Sequence, residues 1–184
     1  MRYLTLLLAA LLINACAQAQ GCSDAGVCTA GPLGQVAAQG DSTTKALRHF
    51  ARLQFSYAVG EQGVAISQAV PEISLGITER WSVQARIPFM LISGNLGQNE
   101  GVGDPVITSS YAIMNRDSLR LESLIGVKLP ANAADARDAG DRPLPMPYQT
   151  SLGTTDLLAG ISFRSKRLTI ALAYQHVLND GNEN

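Results

Sequence analysis

Charge, aromatic side chains and cysteine are all scarce in this chain, and each scarcity excludes something. Only 16% of the 184 residues are charged, 5% are aromatic, and there are three cysteines. A typical soluble domain carries roughly 25% charged residues. Lys and Arg number 14 against 15 Asp and Glu, for a formal net charge of −1. A nucleic-acid partner is not expected, because it demands a positive footprint. Disorder demands low hydrophobicity, whereas 46% of these residues are hydrophobic. Beyond the N-terminus no apolar run reaches the roughly 20 residues of a spanning helix. No G-x-S-x-G, H-E-x-x-H or phosphate loop occurs. His49 and His176 stand apart from any Ser or Cys nucleophile with an orienting carboxylate. The chain is therefore not expected to be an enzyme, nor to hold a cofactor or metal.

What the chain does have is turn formers and alternation. Seventeen glycines and eight prolines suit an all-β chain with many turns. The first residues carry a separate signal: Met1–Arg2, then the apolar run LTLLLAALLI at 4–13, then the small-x-small site Ala17-Gln18-Ala19. The run has signal-peptide length and is too short to span a bilayer. Cleavage is expected after Ala19, leaving an exported chain from Gln20. A lipoprotein signal ending at Cys16 is the rival reading, with Asn14 poorly suited to its place. In an oxidising compartment Cys22 and Cys28 are expected to form a disulfide, a local staple for the segment 20–48. Two thiols alone do not make a metal site.

From 49 to 184 the chain reads as a β-barrel domain. Period-2 segments recur. Leu53, Phe55, Tyr57 and Val59 share one parity; so do Ile73, Leu75 and Ile77, and Val83, Ile87, Phe89 and Leu91. The same holds around Ile107–Ile113, Leu119–Leu129, Leu157–Phe163 and Leu168–Tyr174. That makes about seven strands. Pro71 is expected to interrupt its ladder, and 41–51 could form a short helix capped by Ser42 or Thr43. Tight polar turns at 78–81, 115–118 and 164–167 alternate with longer loops at 93–103 and 131–153. Short turns at one end and long loops at the other, joined by strands of about ten residues, define an antiparallel transmembrane barrel of the outer-membrane type. In lipid every backbone polar group needs a partner, so such a sheet must close. An odd strand count and the loop-like end at 179–184 imply an incomplete barrel, truncated at its C-terminus. A soluble secreted β-sandwich also alternates, but does not require the short–long rhythm.

Site expectations follow from parity. Arg86, Arg120, Glu122 and Lys128 fall on the polar face, with Asp104 and Asp156 at the loop ends of two strands. They are lumen-lining candidates, either selecting solutes by charge or forming a paired network that fills a narrow interior. Asp104 and Asp156 are further expected to accept hydrogen bonds from loop amides. Trp81, Phe89, Tyr111, Phe163 and Tyr174 are candidates for an interfacial aromatic girdle. Asp135, Asp138 and Asp141 have a D-x-x-D-x-x-D spacing but lack the Gly and Glu of a calcium loop.

Four segments carry a resemblance. Residues 101–111 (GVGDPVITSSY) resemble a GxGD strand opening, and 126–130 (GVKLP) a GxKLP strand end before a long loop. Residues 152–160 (LGTTDLLAG) resemble an LGTGxxDxxxG opening. Residues 76–82 (GITERWS), followed by Ile87-Pro88-Phe89, resemble a GxTDRWS turn. In this order, from about Leu75 to Ser162, they resemble the outer-membrane transporters associated with the meta-cleavage pathway of phenol degradation. The resemblance implies an outer-membrane barrel passing small, hydrophobic or aromatic solutes. Outer-membrane lipid, a small-molecule solute and the outer-membrane assembly machinery are the implied partners. The chain departs from the family in its missing C-terminal strands and terminal aromatic. A non-transporting barrel whose loops bind a partner is the alternative.

Overall fold

The computed structural model describes residues 49–60, 63–116, 118–138 and 140–180. The signal segment, Cys16 and the Cys22–Cys28 pair lie outside them. So does most of the expected helix over 41–51, but its last residues, from His49 to Ala51, open a strand instead.

The chain is all-β, a single antiparallel sheet of nine strands: β1 (His49–Val59), β2 (Ala65–Gly76), β3 (Trp81–Arg86), β4 (Phe89–Gly94), β5 (Gly97–Val102), β6 (Val106–Arg116), β7 (Leu119–Lys128), β8 (Thr154–Ser165) and β9 (Thr169–Asp180). β3 and β4 pair with successive halves of β2, and β6 and β5 pair with β3 and β4 in turn. β3–β4 and β5–β6 are thus two long ribbons, each broken once. The nine strands therefore form seven ribbons in an up-and-down meander, which is the number the alternation predicts. The sheet does not close into a barrel: among the described residues β1 and β9 each have a strand on one side only.

The breaks have local causes. Pro88 and Pro105 have no N–H to donate to a ladder, and each falls at a break, Pro88 between β3 and β4 and Pro105 between β5 and β6. The breaks face each other, with the Gly103 amide donating to the Pro88 carbonyl at 2.8 Å. Pro71 does not interrupt β2, contrary to expectation. Its carbonyl accepts from the Ile87 amide at 3.2 Å, so its missing N–H points to the same side, at the β3–β4 break. No ladder bond is lost there. The expected loop at 93–103 is also corrected. Apart from Asn95, Leu96 and Gly103 it is the β4–β5 hairpin, paired from Phe89↔Val102 to Gly94↔Gly97. Its strand residues GQNEGV lack apolar alternation, so the pattern that marks the other strands is missing.

The three short turns lie at one end. Thr78 Oγ1 accepts from the Arg80 and Trp81 amides, at 3.2 and 3.0 Å. Ser165 Oγ accepts from the Leu168 amide at 3.2 Å. At the opposite end lie the β1–β2 connection, the β4–β5 turn and the long segment 129–153.

The distribution of side chains between the two faces is inverted relative to a water-soluble sheet. One face carries Phe55, Ile73, Leu91, Ile107, Ile125 and Leu172, all exposed, Phe55 by 74%. The other carries Glu72, Arg86, Thr108, Glu122, Lys128, Asp156 and Ser162, all buried. We call these the outer and inner faces. A sheet in water covers its apolar face and wets the polar one. Among the described residues an apolar cluster on the inner side is formed by Val64, Met90 and Ile92, capped by Leu144 and Tyr148 from the segment 129–153.

Gly126 sits on the inner face where β6 and β7 approach. A Cβ there would meet Thr108 Cγ2 at 2.6 Å and the Ile107 carbonyl oxygen at 2.7 Å. The oxygen belongs to backbone and cannot rotate away. Gly126→Ala should therefore destabilise by about 1–3 kcal/mol, the range for overpacking. A lower urea midpoint at unchanged slope would register it.

Candidate functional site

The inner face is organised by strand register. Arg52, Glu72, Arg86, Val106, Lys128 and Asp156 are Cα partners in turn, each with the next. Side chains of directly opposed residues share a face and lie within contact range. One transverse row therefore alternates charge across the sheet, interrupted only at Val106.

Within the row, Arg52 Nη2 donates to Glu72 Oε1 at 2.6 Å. Glu72 also accepts from the Gln84 side-chain amide, and Arg86 lies opposite it on the next strand. At the other end Lys128 Nζ bonds Asp156 Oδ2 at 2.8 Å and approaches Asp104 Oδ2 at 3.6 Å. Lys128 and Asp156 are each only 1% exposed. Gln175 donates its side-chain amide to Asp156 from β9. Buried charges persist only when paired and hydrogen-bonded, and these are. Nearer the short turns, Arg120 Nε bonds Glu122 Oε2 at 3.1 Å, while Arg120 lies opposite Arg164.

All six charged candidates, Arg86, Asp104, Arg120, Glu122, Lys128 and Asp156, thus lie on the inner side, but in three groups rather than one. Asp104 behaves as the loop-amide reading expects: its two oxygens accept from the Ala131 and Leu152 amides at 3.0 and 3.2 Å. Asp156 does not; its partners are the side chains of Lys128 and Gln175. Parity alone also passed over Arg52 and Glu72. Both alternate with outer-face residues, and extending the strand frames to Phe50 and Pro71 would have found them. The polar run 164–167 reads as a turn, but β8 runs one residue past Arg164.

The aromatic candidates share the outer face. Trp81 and Tyr111 are Cα partners, and Trp81 Nε1 donates to Ser109 Oγ at 2.7 Å. Phe163 is half-buried near the short turns. Phe89 opens β4 and Tyr174 lies in the middle of β9, stacked on His176 at 6.3 Å. Phe55 and Tyr57, more exposed than any of the five, extend the set. They scatter along the strands instead of forming one band.

The described residues of the segment 129–153 are folded, not trailing. The segment leaves β7, leans over the inner side and reaches β4 and the start of β2. Leu144 and Tyr148 seat against Val64, Met90 and Ile92. Asn99 Nδ2 donates to the Tyr148 carbonyl at 2.7 Å, and Tyr148 Oη accepts from the Leu96 amide at 3.2 Å. The Gln149 side chain bonds Ala136 and Leu144 as a strand would.

At the loop tip Asp138 is committed to its own turn. Oδ1 accepts from the Gly140 and Arg142 amides, and Arg142 Nε donates to Oδ2 at 2.8 Å. Among the described residues no group of three or more His, Cys, Asp or Glu could hold a metal. The hydrogen bond from the Arg142 amide, then that from its guanidinium, hold the Asp138 carboxyl below its ordinary 3.8. A depressed carboxylate stabilises its turn above the ordinary value and loses that contribution as pH falls through the lowered one. The Gly140 and Arg142 amide NMR shifts should therefore titrate together with a midpoint below 3.8.

Among the described residues no helix is long and apolar enough to cross a membrane. No known family model matches the chain, and no characterised protein matches it in sequence.

Proposed function

We propose that this protein is an outer-membrane β-barrel that passes small solutes along its inner face. The observation that carries the reading is the inverted sheet, apolar where it is exposed and charged where it is shielded. In water that inversion is unfavourable, since an extended apolar face calls for a partner. In lipid it is required, because a charge on the outer face costs about 2–4 kcal/mol at the midplane. Strands of 10–12 residues suit a tilted crossing. The N-terminal signal supports export, and the resemblance over 75–162 points to aromatic compounds among the solutes.

Spanning also demands closure. With an odd number of ribbons, β1 and β9 run in the same direction, so pairing them directly would be parallel. Antiparallel closure takes a further strand between them. Transport would be passive, with the paired charges setting polarity along the path.

The test is fractionation of the full-length protein, with its own N-terminus, in a Gram-negative host. It should remain with the outer membrane after carbonate washing and migrate anomalously on gels unless boiled. In liposomes it should let arabinose in. Recovery in the soluble periplasm would overturn the membrane reading. Outer-membrane residence without solute entry would leave the non-transporting barrel, which the closed ion pairs of the inner face favour.

A further inference from the structure

We propose that the segment 129–153 is a constriction seated inside the mouth of the barrel, and that it sets the largest solute that passes. The inference rests on the channel reading above. A long outer loop in water would extend away from the sheet. This one reaches across the β5–β6 and β3–β4 ribbons and is fastened at both ends of its path.

The stem is held by one carboxylate. Asp104 accepts from Ala131 near where the segment leaves β7 and from Leu152 near where it returns to β8. Lys128, buried beneath, ties Asp104 to Asp156. The far end is held by shape. Leu144 and Tyr148 cover the apolar cluster of Val64, Met90 and Ile92. Tyr148 fits because Gly94 has no side chain: a Cβ there would lie 2.2 Å from Tyr148 Oη and 3.0 Å from Cζ. Val64, Met90 and Ile92, with Ile66 of β2 packed against them, form an apolar cluster on the inner face. They are explained if the loop is their permanent cover. Asp104 and Gly94 are positioning residues, acting through the loop.

The experiment compares entry of arabinose and raffinose into liposomes carrying the full-length protein, Gly94→Ala, Tyr148→Ala or Tyr148→Phe. Gel mobility with and without boiling establishes that each variant is folded. Gly94→Ala releases the loop from the strand side and Tyr148→Ala from the loop side. Both should raise raffinose entry several-fold over the unaltered chain. Tyr148→Phe keeps the ring and should restore exclusion relative to Tyr148→Ala. A chain impermeable to both sugars that opens in the two release variants would equally support the seated loop. Unchanged size selection in folded Gly94→Ala and Tyr148→Ala would overturn the constriction and leave the channel standing. No entry through any form would overturn the channel and the constriction with it.

Discussion

Ile125→Arg is expected to prevent stable assembly in a membrane, at a cost of about 2–4 kcal/mol for a charge facing the lipid midplane. Ile125 is 64% exposed in the middle of β7. Its Cα partners are Ser109 on β6 and Ala159 on β8. In water such a substitution would touch nothing, and an exposed site of that kind shifts stability by no more than about 0.5 kcal/mol. The two environments thus give opposite outcomes for one change. Leu168→Arg supplies the depth control. Leu168 adjoins the short β8–β9 turn, where lipid gives way to headgroups and the cost falls to about 0–1 kcal/mol. The measurement is the urea midpoint of the protein folded into vesicles, with membrane-inserted yield beside it. A large loss at 125 with a small one at 168 is the lipid signature. Equal, negligible effects would mean that the outer face meets water, and would favour a soluble sheet.

Lys128→Met is the second large effect, expected to cost about 3–5 kcal/mol, as when one partner of a buried ion pair is removed. Methionine fills the volume but leaves Asp156, 1% exposed, and Asp104 without their shared cation. The loss therefore comes from stranded carboxylates, not from a cavity. Adding Asp156→Asn to Lys128→Met should recover part of it, because the amide leaves one fewer buried charge. Thermal unfolding of the two variants measures both effects. Recovery in the double variant separates electrostatics from packing. A loss of less than about 1 kcal/mol, typical of exposed ion pairs, would mean that water reaches Lys128.

Much of this was legible in the sequence, for a physical reason. In a strand, side-chain direction has period two, so which residues share a face is a local property. Alternation around Phe55, Ile107, Leu121 and Leu157 named the ribbons and their apolar face before any contact was known. It also placed Arg86, Arg120, Glu122 and Lys128 on the opposite face. The polar turns at 78–81 and 164–167 were visible because Thr78 and Ser165 supply oxygens to nearby amides.

The β4–β5 hairpin was not legible, because Gln98, Asn99 and Glu100 alternate nothing. Nor were the breaks at Pro88 and Pro105, which matter only because they face each other. Pro71 looked disruptive for the converse reason. Its missing donor is harmless only where the neighbouring ribbon is itself broken, and that depends on register.

By itself, the sequence determined an all-β meander of seven ribbons with one apolar and one charged face, since neighbours along the chain suffice for that. Tertiary structure alone decided which charge meets which. Arg52 finds Glu72 and Lys128 finds Asp156 because hydrogen-bond register aligns residues distant in sequence. It alone decided where 129–153 goes, since Tyr148 docks into a gap that exists only because Gly94 lacks a Cβ on another strand. Those outcomes depend on non-local geometry, and no period along one strand encodes it.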